Sequence, residues 1–185
     1  MPREQYLPIK IIDIVKERSL LECHMLIGVH IYYRDDEKRN ALYWAIKHHS
    51  THNAKLLIEH EISLKVTPDL HALFHAIAEE HYEMVVLLIQ SGLSPNIRNN
   101  DGRTALMCAI EKEQFRTVCF LVRSGADLCQ MDAQYDMAEE YAKRSQSKQI
   151  KDYMKHVLML KENEEKGAVQ SPCDLCINPT TGCAG

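Results

Sequence analysis

Thr104-Ala105-Leu106-Met107-Cys108-Ala109-Ile110 decides the fold, because the chain says it more than once. Thirty-three residues earlier stands His71-Ala72-Leu73-Phe74-His75-Ala76-Ile77. The correspondence runs on without a gap: Phe115 over Tyr82, Val118 over Val85, Leu121 over Leu88, and Ser124-Gly125 over Ser91-Gly92. A further 31 residues back, Asn40-Ala41-Leu42-Tyr43-Trp44-Ala45-Ile46 makes a third copy, with Leu56-Leu57-Ile58 over Leu87-Leu88-Ile89. The two-residue shortfall falls in the polar connection from Lys65 to Asp69, where a deletion is best tolerated. Self-similarity at such a period is the mark of a repeat architecture.

Each copy reads as two short antiparallel helices and a projecting turn. Ala105, Leu106, Ala109 and Ile110 recur at helical spacing and make one stripe, and Val118, Leu121 and Val122 make a second. Ser124-Gly125 ends the second helix, glycine accepting the left-handed conformation there. Asn99-Asn100-Asp101-Gly102 is turn chemistry, and Thr104 is placed to cap the helix that follows. Neither helix buries its stripe alone; stacked neighbours close the core.

Asp101-Gly102-Arg103-Thr104-Ala105-Leu106, then Ala109, Leu121 and Ser124-Gly125-Ala126-Asp127-Leu128, resembles an ankyrin repeat at nearly every diagnostic position. The earlier copies resemble it with departures. His71 and Asn40 stand where the family has Thr, Asp69 takes the turn glycine's place, and Glu61 replaces the second-helix glycine. Tyr43, Phe74 and Met107 replace the family's usual His, so apolar contact is expected in place of its Thr–His hydrogen bonding. Met137 to Ala142, with Ile150 and Tyr153-Met154, resembles a terminal unit one residue short in its inter-helix turn. Two apolar bursts, Ile9–Val15 and Leu20–Ile27, suggest an N-terminal capping helix pair.

The resemblance implies an all-α ankyrin-repeat solenoid of stacked helix-turn-helix units with projecting turns. Its expected parts are a cap over 1–35, a degenerate repeat over 36–66, repeats over 67–98 and 99–131, a capping repeat over 132–160, and a flexible cysteine-containing tail over 161–185. The charge run Lys161-Glu162-Asn163-Glu164-Glu165-Lys166 marks the start of that tail, which lacks the apolar mass to fold alone.

Composition narrows the function. The 185 residues carry 22 Lys+Arg against 26 Asp+Glu, a net −4 that argues against a polyanion-binding module. With no run of about 18 apolar residues, no membrane insertion is expected. The N-terminus, broken by Asp13, Lys16, Glu17 and Arg18, is wrong for a secretory signal. Seven cysteines without secretory context suggest reduced thiols and so a cytoplasmic or nuclear location; a monomer is expected as well.

Candidate chemistry is thin. Cys173, Cys176 and Cys183 supply half of a zinc site and a third thiolate, read either as unstructured thiols, as a metal or redox cluster, or as lipidation sites; prenylation fails because Gly182 is fourth from the end. His48, His49 and His52 crowd an inter-helix turn but lack the carboxylate of a metalloprotease motif. His71 is expected to cap its helix. His75 and Cys108 occupy equivalent positions in successive repeats, which allows a Cys–His pair but supplies no third group. Nothing demands an enzyme, and no cofactor is expected.

Ankyrin-like stacks bind other proteins along a ridge of turn tips and first-helix ends. Carried onto this sequence, the resemblance implies a partner protein meeting Arg39, Lys47, His48, Leu70, Glu79, Arg98, Asn100, Asp101, Arg103, Glu111, Lys112 and Met131, with Leu70, Pro68 and Met131 expected to be exposed. An adaptor, regulator or inhibitor follows, or a microbial or viral effector acting on a host protein. The alternative is a metal- or redox-responsive protein using the tail cysteines.

Overall fold

Ala105, Leu106, Ala109 and Ile110 are fully buried, so the apolar stripe that the sequence repeats is the inward face of a real helix. The computed structural model describes residues 32–165. These fall in two compact units divided between Leu93 and Ser94. The N-terminal bursts at Ile9–Val15 and Leu20–Ile27, and the cysteines Cys173, Cys176 and Cys183, lie outside the described residues.

The first unit contains α1 (Ala41–Lys47), α2 (Thr51–Glu59), α3 (Ala72–Ala78) and α4 (Tyr82–Gln90). The second contains α5 (Ala105–Glu111), α6 (Phe115–Arg123), α7 (Ala138–Arg144) and α8 (Lys148–Glu165). Among the described residues there are eight helices and no strand, only the isolated bridges Lys65–His71 and Arg98–Thr104 at the necks of two projecting turns. Each unit is two helical hairpins packed side by side: α1 on α2 and α3, α2 on α4, then α5 on α6 and α7, α8 on α6 and α7. The fold is an all-α helical repeat.

Seven-residue first helices are short for isolated stability, so their caps and burial hold them. Thr104 accepts the Met107 N–H at 3.3 Å, while Met107 Sδ lies 3.4 Å from the Thr104 N–H, so the methionine side chain closes the cap. Asn40 accepts the Tyr43 N–H at 3.1 Å. His71 does cap α3, but its Nδ1 is 3.5 Å from the Leu73 N–H, a weak bond.

The turns between helices depend on left-handed residues. His49, Glu80 and Glu113 occupy the middle of three successive three-residue linkers with φ of 54, 56 and 58°. Glu61 takes φ 59° where the sister helices end in Gly92 and Gly125. The last linker differs: it also has three residues, Ser145-Gln146-Ser147, rather than being shorter, but Ser145 is extended at φ −54°, ψ 147°. The buried stripe of α8 is Ile150, Tyr153, Met154 and Val157.

The charge run after Leu160 does not begin a tail. Helix α8 continues through Glu165, and Lys161 is held against the loop after α6, its Nζ 3.3 Å from Cys129 Sγ and 3.8 Å from Asp127.

Candidate functional site: the projecting tips

Three of the four tips are built around one side-chain acceptor. Asp35 Oδ1 accepts the N–H groups of Glu37 and Arg39 at 3.1 and 2.9 Å. Asn99 Oδ1 accepts those of Asp101 and Arg103 at 3.0 and 2.9 Å. Asp132 Oδ1 accepts those of Gln134 and Asp136 at 2.8 and 3.0 Å. Short polar side chains that bond the backbone two residues on are turn builders. At the fourth tip this position is Val66, and the reason is local. Two residues on stands Pro68, which has no N–H to donate, and the Leu70 N–H goes to Thr67 Oγ1 at 3.0 Å.

Tips are also tied to their neighbours within each unit. In the first, the Arg34 guanidinium donates to the carbonyls of Lys38, Val66 and Lys65 at 2.8, 3.1 and 2.9 Å. In the second, the Ala133 N–H donates to the Asp101 carbonyl at 3.1 Å. That close approach needs Gly102: a Cβ on it would stand 3.2 Å from the Ala133 nitrogen, and its φ is 76°.

On the first unit, Arg39 is locked. It pairs with Asp35 at 2.8 Å and Glu37 at 2.7 Å, and its guanidinium lies 4.4 Å over Trp44 and 5.2 Å over Tyr43. Trp44 donates its indole N–H to Asp35 at 3.1 Å. Burial opposes charge on Asp35, yet the Arg39 N–H and guanidinium and the Trp44 N–H together hold its carboxyl below the usual carboxylate range. Lys47 pairs with Glu79 at 2.9 Å, joining the end of α1 to the end of α3. His48 caps α1 and stacks on Trp44 with centroids 5.9 Å apart. Leu70 is half-buried, so the expected exposed leucine is a packed one, while its neighbour Pro68 is exposed.

On the second unit, Arg103 pairs with Glu111 at 2.9 Å and lies 5.7 Å from the Tyr141 ring centroid. Tyr141 donates to Asp132 Oδ2 at 2.6 Å, the main reason the Asp132 carboxyl is held low; burial and that same carboxylate push the phenol up. Arg144 pairs with Asp136. Arg98 is exposed and donates to Gln130 at 3.2 Å. Asn100, Asp101, Glu111 and Lys112 are exposed, and Met131 is 44% exposed. The expected site residues thus form two sets: Arg39, Lys47, His48, Leu70 and Glu79 on one unit, and the remaining seven on the other.

Sequence reading placed Asn99 in a turn but missed Asp35 and Asp132 as its counterparts, Trp44 as the plate under Arg39, and Tyr135, whose side chain is 81% exposed at φ 66°. The spacing of 35, 99 and 132 follows the repeat and was the available signal.

Burial first, and then Glu111, push the Cys108 thiol up to about 11, which favours the protonated thiol at neutral pH. His75 is buried and stacked on Tyr43 at 4.3 Å. His49 faces His81 at 4.5 Å, and His52 is exposed on α2. Among the described residues no three His, Cys, Asp or Glu side chains gather as a metal site, and no helix is long and apolar enough to cross a membrane. An open groove of about 530 Å³ between α7 and α8 is lined by Ala142, Met154, Leu158 and Met159 with lysines and glutamates at its rim.

Compared with known families, residues 73–122 match the model described as ankyrin repeats (many copies).

Proposed function

We propose, from the match of residues 73–122 to the ankyrin-repeat model, a non-enzymatic adaptor, regulator or inhibitor that holds a partner protein with its tips and first-helix ends. Ankyrin repeats generally mediate protein–protein interaction. One observation carries the reading here: each tip is hydrogen-bonded within itself, to one side-chain acceptor in three of them and to Thr67 in the fourth, and is tied to a neighbour in its unit. A preorganised loop loses little entropy on binding. The contact residues proposed are Arg39, Lys47, His48, Glu79, Arg98, Asn100, Asp101, Arg103, Glu111, Lys112 and Met131, with Leu70 contributing mainly by packing. A microbial or viral effector acting on a host protein is a special case of the same chemistry.

The ion pairing dictates the test. Arg103 and Glu111 neutralise each other at 2.9 Å, so the pair must be broken and then restored in reverse. Arg103→Glu alone is expected to lose a captured partner and lower the melting temperature slightly, an exposed pair being worth about 0–1 kcal/mol. Arg103→Glu with Glu111→Arg is expected to recover the melting temperature but not the partner. Retention of the partner by both variants, measured by affinity capture beside circular-dichroism melts, would remove the second unit's ridge from the proposal.

A further inference from the structure

We infer that Tyr135 is an anchor that seats the Met131–Asp136 tip in an apolar pocket on a partner protein. The inference rests on the tips being a protein-binding surface, and names the side chain that enters the partner. Tyr135 stands at the repeat position that Gly102 holds in the preceding tip, and both are left-handed, at φ 66° and 76°. For a bulky residue that conformation is an outlier, and glycine is the residue that adopts it without strain. Observed strain of this kind is a pointer to function.

Other left-handed residues gain contacts or stay hydrated. Glu113 spends its carboxylate on the start of α8, and His49 sets its ring against His81. Lys38, Glu61 and Glu80 are polar and exposed. Tyr135 differs from both: it gains no contact, and what it leaves in water is an aromatic ring, 81% exposed, with no ring contact or hydrogen bond to the hydroxyl among the described residues. Met131, on the same tip, is 44% exposed.

The backbone under this side chain is fixed. The Tyr135 N–H donates to the Asp132 carbonyl at 3.2 Å, Asp132 Oδ1 holds the N–H groups on either side, and Ala133 is tied to Asp101. A tyrosine has only two side-chain torsions to immobilise, so a rigidly presented one is an inexpensive anchor, and tyrosines are over-represented among residues that dominate binding. Two arginines around the tip are already paired, Arg144 with Asp136 and Arg103 with Glu111, and a third, Arg98, donates to Gln130. A nucleic acid or an anionic bilayer calls for free cations; an apolar protein pocket does not.

The experiment uses the full chain and three variants: Tyr135→Gly, Tyr135→Phe, and the reversed pair Arg103→Glu with Glu111→Arg. A protein captured by the wild type is identified by mass spectrometry, purified, and titrated calorimetrically against each. Phosphatidylserine/phosphatidylcholine vesicles and a single-stranded oligonucleotide are titrated in parallel. Tyr135→Gly is expected to raise the melting temperature, by relieving the strained backbone, and to weaken binding of the purified protein by about tenfold or more. Tyr135→Phe is expected to keep both near wild type. Opposite movement of stability and affinity is what a packing residue would not give. Unchanged affinity in Tyr135→Gly, or a lowered melting temperature, overturns the inference. If the reversed pair loses the partner and Tyr135→Gly does not, the anchor falls and the ridge reading stands. If neither loses it, or the wild type captures nothing, both fall. Vesicle or oligonucleotide binding that vanishes in Tyr135→Gly, without a protein, overturns the pocket in favour of that ligand.

Discussion

Asp132 concentrates more structure in one side chain than any residue that periodicity would select. Its two oxygens take the N–H groups of Gln134 and Asp136 and the phenol of Tyr141, and its side chain is buried. Asp132→Ala therefore leaves two tip N–H groups and a buried hydroxyl without their partner. The expected loss is about 3–4.5 kcal/mol of unfolding free energy, at about 1–1.5 for each of the three bonds, measured by urea denaturation. Asp132→Asn is expected to retain most of it, because Asn99 already performs the backbone part with an amide oxygen. Equal midpoints for the alanine variant and the wild type would show that the tip is held by its neighbours instead. Asp35, Asn99 and Asp132 were visible as letters but not as a set, because the copies were aligned on apolar residues and polar tip positions carry no periodic burial. Val66 hides the pattern further, although Pro68 explains why an acceptor has no work there.

Helix α8 shows what a neighbouring element supplies. Glu113, in the linker of the preceding hairpin, accepts the N–H groups of Gln146 and Ser147 at 2.6 and 2.9 Å and the Ser145 hydroxyl at 2.8 Å. A carboxylate at a helix start satisfies orphan N–H groups and suits the helix dipole. The bond from Gln146 is the chief reason the Glu113 carboxyl is held below the usual range. A lowered folded-state value means the contribution is present above the unfolded value and is lost as the pH falls through the folded one. Glu113→Ala is therefore expected to melt below the wild type at neutral pH and to lose hydrogen-exchange protection in the first turn of α8. The gap should close as the pH is taken below about 4. A gap independent of pH would mean that packing, not the carboxylate, is responsible. Lys161 explains why the same helix outruns the sequence-based boundary: a charge run reads as solvent-exposed tail, yet one of its lysines reaches Asp127 and Cys129 across the unit.

At the scale of the whole molecule, the imidazoles are unevenly divided. Seven of the eight histidines among the described residues precede Leu93. Burial, the largest cause in each case, lowers the values of His71, His75 and His81, with Lys65 adding to it at His71 and His49 at His81. Tyr43 and Glu79 oppose the shift at His75, as Glu83 does at His81. The Nε2 atoms of His48, His75 and His81 are buried without a hydrogen-bond partner. A depressed histidine leaves stability intact above its unfolded value of about 6.5 and removes it as the pH falls, because the unfolded chain takes up the proton first. The first unit is thus expected to weaken between neutral pH and about 5.5, before the carboxylates titrate. Trp44, the one tryptophan of the chain, lies in that unit and reports it by fluorescence. Hydrogen exchange should show α1 to α4 losing protection on acidification while α5 to α8 keep theirs. Equal loss in both sets would rule out this origin.

The sequence by itself determined the repeat, the apolar stripes of its helices, and the caps at His71 and Thr104, all of which are carried by residues within one hairpin of each other. Periodic burial and capping are local physics, legible wherever the spacing is kept. Only the tertiary structure decided that Leu70 is packed, that Arg103 and Glu111 cancel one another, that Glu113 starts α8, and that Tyr135 is displayed in a glycine's place. Those facts depend on which side chains the turns bring together through space, and on dihedral angles and exposure that no one-dimensional pattern encodes.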